Sequence, residues 1–482
     1  MAQSAVLTIG RGADSTTFDP INSTQNNDNW IFSNVFDPLV RVDKSGTKLL
    51  PGIAKSWKIS KDGKTYTFTL RDAKFSNGEP VTAEDAAFSL RRIRDDKKSL
   101  WQDSYKIMQK ITAADEHTLV IELKAPSVPF LSSLALPNAS VIPEAYFKKV
   151  GEETFAQKPI GSGAFVVKQW SRGEAVILRK NPYYWEKNRV KLDGVNWLTI
   201  PDSNTRMLKM QAGELDAAIN VPFSRIKSLE NDPNLTVHLD ASTREDHLLI
   251  NHAHKPLNDV KVRRAIDYAI NKESIINAIT FGYGTVANSY IPKGALYYNH
   301  RNKNRPYDPA KAKELLKEAG VSHLTLKYLV NAGNEVDEQI AVLLQQQLAK
   351  VGIKANLVKV DPSQSWGMLV DGDYDISVNY WTNDILDPDQ KTTFVLGNDA
   401  NMNYMTRYNN PKVTELVAKA RLETDPAKRK KMYYQLQKMA KSDVNWIDLY
   451  YSPYRNVSKK TVKNFFQNPL GRFFLEDTYI AD

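Results

Sequence analysis

The chain has 482 residues, 42% hydrophobic and 25% charged, an ordinary globular composition with length for about three domains. Its 65 Lys and Arg against 55 Asp and Glu leave a net charge of +10. The basic residues are interspersed, and the densest run, Lys428-Arg429-Lys430-Lys431, reads as a solvated helical face and not as the aromatic-interleaved block of a nucleic-acid binder. The absence of cysteine excludes a disulfide framework, a zinc-thiolate centre and a cysteine nucleophile, and no apolar run approaches the ~18 residues of a membrane span.

The start, Met1-Ala2-Gln3-Ser4-Ala5, has neither the basic nor the apolar region of a cleavable signal. An intracellular protein reads this way, and so does a mature secreted chain with a start Met added. Between Leu50 and Leu123 clean alternation predicts strands over Tyr66–Arg71 and His117–Leu123, and Asp62-Gly63 reads as a hairpin turn. Thr82-Ala83-Glu84-Asp85 opens a helix in the manner of a capping box. This stretch reads as a separate α+β domain inserted early in a first lobe. Gly161-Ser162-Gly163 precedes an apolar strand, whereas a dinucleotide fingerprint needs a third glycine opening a helix, so it reads as a backbone turn.

Asn204–Gln211 is helical, and Gly213-Glu214-Leu215-Asp216 leads into a strand ending at Asn220. His252-x-His254 follows the strand His247–Asn251. A metal reading of that pair needs converging carboxylates, and a loop is the simpler one. Asp308-Pro309 opens a helix through Ala319 and Gly320 closes it. From His323 to Trp381 the pattern runs strand (324–330), helix (336–350), strand (353–360), short helix (363–370), strand (375–380), which predicts a parallel sheet with right-handed crossovers. Gly372-Asp373-Tyr374-Asp375 repeats the Gly-acid-x-Asp of 213–216. Either two α/β lobes share a unit, or two common turn patterns coincide.

Enzymatic signatures are scarce: there is no G-x-S-x-G, P-loop or H-E-x-x-H, and neither Glu152-Glu153 nor Asp387-x-Asp389 makes a credible acid–base pair. One rule locates a site without them. In open α/β sheets ligands sit beyond the carboxyl ends of the strands. Those ends place Asn331 after the first strand of the second sheet, and Trp381-Thr382-Asn383-Asp384 after the third. An aromatic face, two small polar groups and a carboxylate suit a ligand with an amino group. The bland alternative makes Trp381 core and Asp384 the cap of a following turn.

The stretch from Pro51 to Arg92, PGIAKSWKISKDGKTYTFTLRDAKFSNGEPVTAEDAAFSLRR, resembles the signature segment of the family 5 solute-binding proteins, which feed ABC importers for peptides, nickel chelates, glutathione and related solutes. Pro159–Phe165, Arg179–Trp185, Leu257–Ile266 and Asp387-Pro388-Asp389 fit the same pattern, so the resemblance covers nearly the whole chain. It implies an α/β, two-lobed periplasmic-binding-protein-like fold (type II, cluster C) with an extra α+β domain, three domains in all. Domain I takes residues 1–47, 156–246 and 455–482, domain II takes 48–155 and domain III takes 247–454. The hinge would lie near Glu245–Leu249 and Tyr451–Asn456, with the ligand enclosed between domains I and III.

It also implies a small-molecule ligand, an ABC permease in the inner membrane as partner, a monomer in the periplasm, and no cofactor, metal, nucleic acid or catalysis. Asp384 matches the family aspartate that holds a peptide's α-amino group, and Thr24, Gln25 and Asn26, after Phe18-Asp19-Pro20, match the loop that bonds peptide backbone. Two departures matter. The arginine that dipeptide-binding members carry for the ligand carboxylate falls on Asn331 or a neighbour, and residues 331–340 contain no Arg or Lys. The stretch Asn398–Tyr408 lacks the histidine of nickel-binding members, and their arginine near Pro137-Asn138 is missing as well. A peptide is the first expectation, an opine, amino-sugar conjugate or other amine-bearing solute the second, and a hydrolase or transferase a distant third.

Overall fold

Side chains alternate across a strand, so a strand covered on both sides must be apolar on both. That condition shapes the computed structural model, which describes residues 5–397 and 405–481. Contacts divide the chain into two units: Met1–Ala241 with Asp384–Leu386 and Tyr454–Asp482, and Ser242–Asn383 with Asp387–Pro453.

The first unit holds a mixed seven-stranded sheet in the order Leu235–Asp240, Tyr454–Lys459, Ala217–Ile219, Val6–Arg11, Gly194–Thr199, Ala175–Lys180, Phe165–Ser171. It also holds a four-stranded antiparallel sheet, Ala54–Ile59, Thr65–Leu70, Thr118–Leu123, Met108–Asp115. Thr65–Leu70 and Thr118–Leu123 each bury every second residue. The helix Ala83–Asp95 covers this sheet with Ala86, Ala87, Leu90 and Ile93, packed around Phe68, Leu119 and Ile121. Its first turn closes the capping box read from the sequence: Thr82 Oγ1 accepts from Asp85 N at 3.2 Å, and the Asp85 carboxylate accepts from Thr82 N at 2.9 Å. The hairpin turns at Gly63, whose φ of +69° only glycine adopts freely.

The second unit is built on a six-stranded sheet in the order Thr285–Val286, Ile447–Tyr451, Glu245–Ile250, Ile376–Trp381, Leu324–Asn331, Ile353–Val360. The last three are the strands predicted from the 323–381 pattern, and Leu324–Asn331 is parallel to both its neighbours. The other half is antiparallel, which the sequence pattern did not reveal. Leu324, Leu326, Tyr328 and Val330 point into one core, with Ile266, Ile340 and Leu344 from helices; Leu329 points into the other, with Val417, Tyr433 and Leu436. Glu245–Ile250 is buried throughout, held by strands on both sides. The chain passes from the first unit to the second after Ala241, returns for Asp384–Leu386, and leaves the second unit for the last time after Pro453.

The two Gly-acid-x-Asp turns are structural equivalents. Asp216 donates its main-chain N–H to Thr8 O at 2.9 Å, and its carboxylate accepts from Thr8 N at 2.9 Å. Asp375 does the same with Lys327, at 3.0 and 2.7 Å. Each aspartate enters a strand and clamps the parallel neighbour through both polar groups of one residue.

Candidate functional site

The expected site residues of the second unit gather at the carboxyl ends of its parallel strands. Asn331 ends Leu324–Asn331 and donates to the Asp337 carboxylate at 2.9 Å. Asp337 stands in the first turn of the helix Glu335–Ala349, where helix amides favour an anion. Burial pushes its pKa up, and the Asn331 hydrogen bond and then the Arg244 charge work against that. Trp381 ends the neighbouring strand with its ring 4.6 Å from Phe394. Its buried indole Nε1 has no hydrogen-bond partner among the described residues. Thr382 is half-buried. Asn383 is buried; its main-chain N–H donates to Thr243 Oγ1 at 2.9 Å, and its side-chain Oδ1 has no partner among the described residues.

The antiparallel strand Glu245–Ile250 starts where Ile376–Trp381 ends, with Glu245 opposite Trp381 and Asp246 opposite Tyr380. This register brings Arg244 to the sheet end, a position no local pattern indicated. Its guanidinium grips buried Asp246 through Nε and Nη2 at 2.9 and 2.7 Å and lies 3.8 Å over the Tyr380 ring, which is half exposed. On the other side of the strand Glu245 accepts from Lys391 at 3.3 Å and pairs with His247 Nδ1 at 2.9 Å, and His247 stacks on Trp446 at 3.6 Å. Burial lowers the Lys391 pKa against the pull of Glu245.

Asp384 and the 22–27 loop belong to the first unit. Asp384 is half-buried, and its main-chain carbonyl accepts from Arg472 Nη2 at 2.8 Å, while Arg472 Nη1 donates to Ala135 O at 2.8 Å. Three residues on, Asn138 donates to Ser23 O at 3.0 Å, and Trp101 Nε1 donates to the same carbonyl at 2.8 Å. The short segment 135–138 thus ties Asp384 to the loop. Ser23 also donates to buried Asp28 at 2.6 Å, and Asn22 to Glu152 at 3.0 Å. With its main chain held at Ser23 and its side chains at 22, 23 and 28, the loop leaves Thr24, Gln25 and Asn26 exposed at the start of the helix Asn26–Val35.

Several other motifs have structural roles. Asp387 is buried in a two-point ion pair with Arg429 at 2.6 and 2.8 Å, and Asp389 meets Arg421 at 3.1 Å. Arg429 is therefore the exception within its basic run, which the sequence read as a solvated face. His252 bonds Asn445 O at 2.9 Å and His254 pairs with Asp375 at 2.8 Å, so the two rings serve different partners. No cluster of His, Asp and Glu able to hold a metal occurs among the described residues. Of the stretch Asn398–Tyr408, residues 398–404 lie outside the described residues. No helix among the described residues is long and apolar enough to cross a membrane.

Residues 48–403 match the family described as bacterial extracellular solute-binding proteins, family 5. The chain belongs to that family. Among its family 5 relatives, the di/tripeptide-binding protein 1 of Pseudomonas aeruginosa (strain UCBPP-PA14) is 32% identical over 94% of this chain and 90% of its own length. The periplasmic binding protein DppA of Helicobacter pylori, solved with the peptide STSA, is 27% identical with a TM-score of 0.87, covering 99% of this chain and 98% of that one. AgaA of A. tumefaciens R10, solved with agropinic acid, is 28% identical with a TM-score of 0.86, covering 99% of both chains. The fold is the α/β fold of family 5 binding proteins.

Proposed function

We propose that this family 5 protein is the periplasmic receptor of an ABC importer, that it captures a short peptide by its free amino end, and that it catalyses no reaction. The observation that carries the reading is the Trp381-Thr382-Asn383 run at the carboxyl end of the second unit's sheet, where a buried indole N–H and a buried amide oxygen have no partner among the described residues. Such groups cost roughly 1–3 kcal/mol each when unmet, so a fold keeps them where something else meets them. A peptide offers both a carbonyl for the indole and an N–H for the amide. The carboxylate of Asp384 is the partner for the peptide's ammonium. Relatives that bind di- and tripeptides support the same ligand class. Binding shifts the receptor from an open toward a closed state, and the receptor delivers the ligand, as a monomer, to the permease.

The first test is mass spectrometry of small molecules released by denaturing the purified protein, followed by calorimetric titration with those found. A set of short peptides is the expected result. Asp384→Asn should then weaken binding of a free-amine peptide by about 2–4 kcal/mol, the range for a buried charge pair that loses one member. An unchanged Kd sinks the role of Asp384. A second reading, an opine-like amine, rests on the missing arginine after Val330 and on the likeness to AgaA. If peptide amides bind as well as free acids, that reading gains ground over a clamped dipeptide.

A further inference from the structure

Arg472 is 5% exposed, yet its guanidinium makes no ion pair among the described residues. Both terminal nitrogens are spent on main-chain carbonyls, Ala135 O and Asp384 O, each at 2.8 Å. The base of the side chain is equally fixed. Arg472 N donates to Asn468 Oδ1 at 2.9 Å, Asn468 N donates to Arg472 O at 2.9 Å, and Gly471 O accepts from Trp30 Nε1 at 2.9 Å. Burial lowers the Arg472 pKa to about 10, offset first by the charge of Asp384 and then by Tyr105. A buried guanidinium that meets only carbonyls is a poor stabilising device, because apolar packing of the same volume often does as well or better. Its geometry does something apolar packing cannot: a planar fork bridges two separate strands of chain and sets the distance between them.

We propose that Arg472 is a positioning residue for ligand capture, fixing the main chain at Asp384 so that its carboxylate is aimed at the ligand's ammonium. The bridge also couples Asp384 to the 135–138 segment, and through Asn138 to Ser23 beside the exposed Thr24–Asn26 side chains. One guanidinium thus keeps the amino-end partner in register with the loop. The proposal rests on the reading of Asp384 given above.

The test compares trialanine with N-acetyl-trialanine, by calorimetry, on the wild-type chain and on Asp384→Asn, Arg472→Met and Arg472→Lys. The quantity read is the ratio of the two affinities, which isolates the ammonium contact from general loss of shape. Arg472→Met is expected to lower that ratio about tenfold while moving the N-acetyl affinity less than about twofold. Arg472→Lys, with the charge but without the two-point fork, should recover part of the ratio. The double variant with Asp384→Asn should lose no more than Asp384→Asn alone, since both act through one carboxylate. Equal weakening of both peptides in both Arg472 variants, or no change in either, overturns the proposal and leaves Arg472 a structural residue. If Arg472→Met does not fold, the Arg472→Lys ratio decides on its own. An Asp384→Asn chain that keeps the wild-type ratio overturns the reading of Asp384 instead, and the Arg472 role falls with it.

Discussion

A Cβ on Gly161 would sit 2.2 Å from Val35 O and 2.7 Å from the Phe36 ring, and one on Gly163 would sit 2.6 Å from Val35 C. These two glycines are required by close approach of backbone to backbone. Gly173 is favoured only by its φ of +75°, since nothing lies within 4 Å of its Cβ position. Gly161→Ala should therefore cost about 3 kcal/mol, the upper range for overpacking. Gly173→Ala should cost about 1 kcal/mol, the strain of a left-handed alanine. Thermal unfolding of the two variants checks the contrast, and similar losses would mean that Val35 yields readily. The Gly-Ser-Gly run was legible as a turn because a strand follows it, but what it packs against was not. Arg429 shows the same limit. In the sequence it stands among lysines on a helix, and only the fold shows that its own face is buried against Asp387.

Elements carry the pH dependence. Asp267, in the helix Val260–Ala269, is buried, which by itself raises its pKa; Lys272, Lys441 and Arg305 outweigh this and hold it at about 2. The folded value lies below the ordinary 3.8, so its contribution is full above that pH and is lost as pH falls from there toward 2. The amount is about 2 kcal/mol. His252 titrates earlier. Burial, with help from Arg263, lowers it from 6.5 to about 3, so the unfolded chain takes a proton that the folded chain refuses. Stability from His252 is present above pH 6.5 and declines as pH drops toward 3. Tm measured from pH 7.5 to 2.5 should fall from near 6.5 downward. His252→Gln should flatten that first decline and leave the later one in place. A decline that survives the substitution unchanged would assign it to another group. The aspartates of the two repeated turns are a further element-level case. Asp375→Ala and Asp216→Ala each remove the acceptor of one strand N–H and should each cost roughly 1–3 kcal/mol in chemical denaturation.

At the scale of the whole molecule, a receptor that binds ligand only when folded is stabilised by that ligand. At a hundred times Kd the gain is about 2.7 kcal/mol. Peptide titrations should raise Tm with the logarithm of free ligand, and the rise should be much smaller in Asp384→Asn at the same concentrations. A peptide consumed during the titration would contradict the receptor reading. The two units each carry their own cores, so the unfolding trace is to be followed by two probes before a single midpoint is assigned.

The sequence by itself determined what is local. Period-2 alternation placed the strands of the 323–381 run within a residue or two, capping residues placed the helices at 83 and 309, and the paired Gly-acid-x-Asp turns marked equivalent strand entries. The density of matching motifs also marked the family. What only the tertiary structure decided is which distant residues share a site. Arg244 reaches the end of the second sheet because an antiparallel strand starts where a parallel one stops. Arg472 meets Asp384 across 88 residues and Ala135 across 337. Periodicity reports which face of its own element a residue occupies, and a buried arginine on a loop has no period at all. Its role is set by the chain that folds against it, and that information is written in the whole sequence at once, not in any window of it.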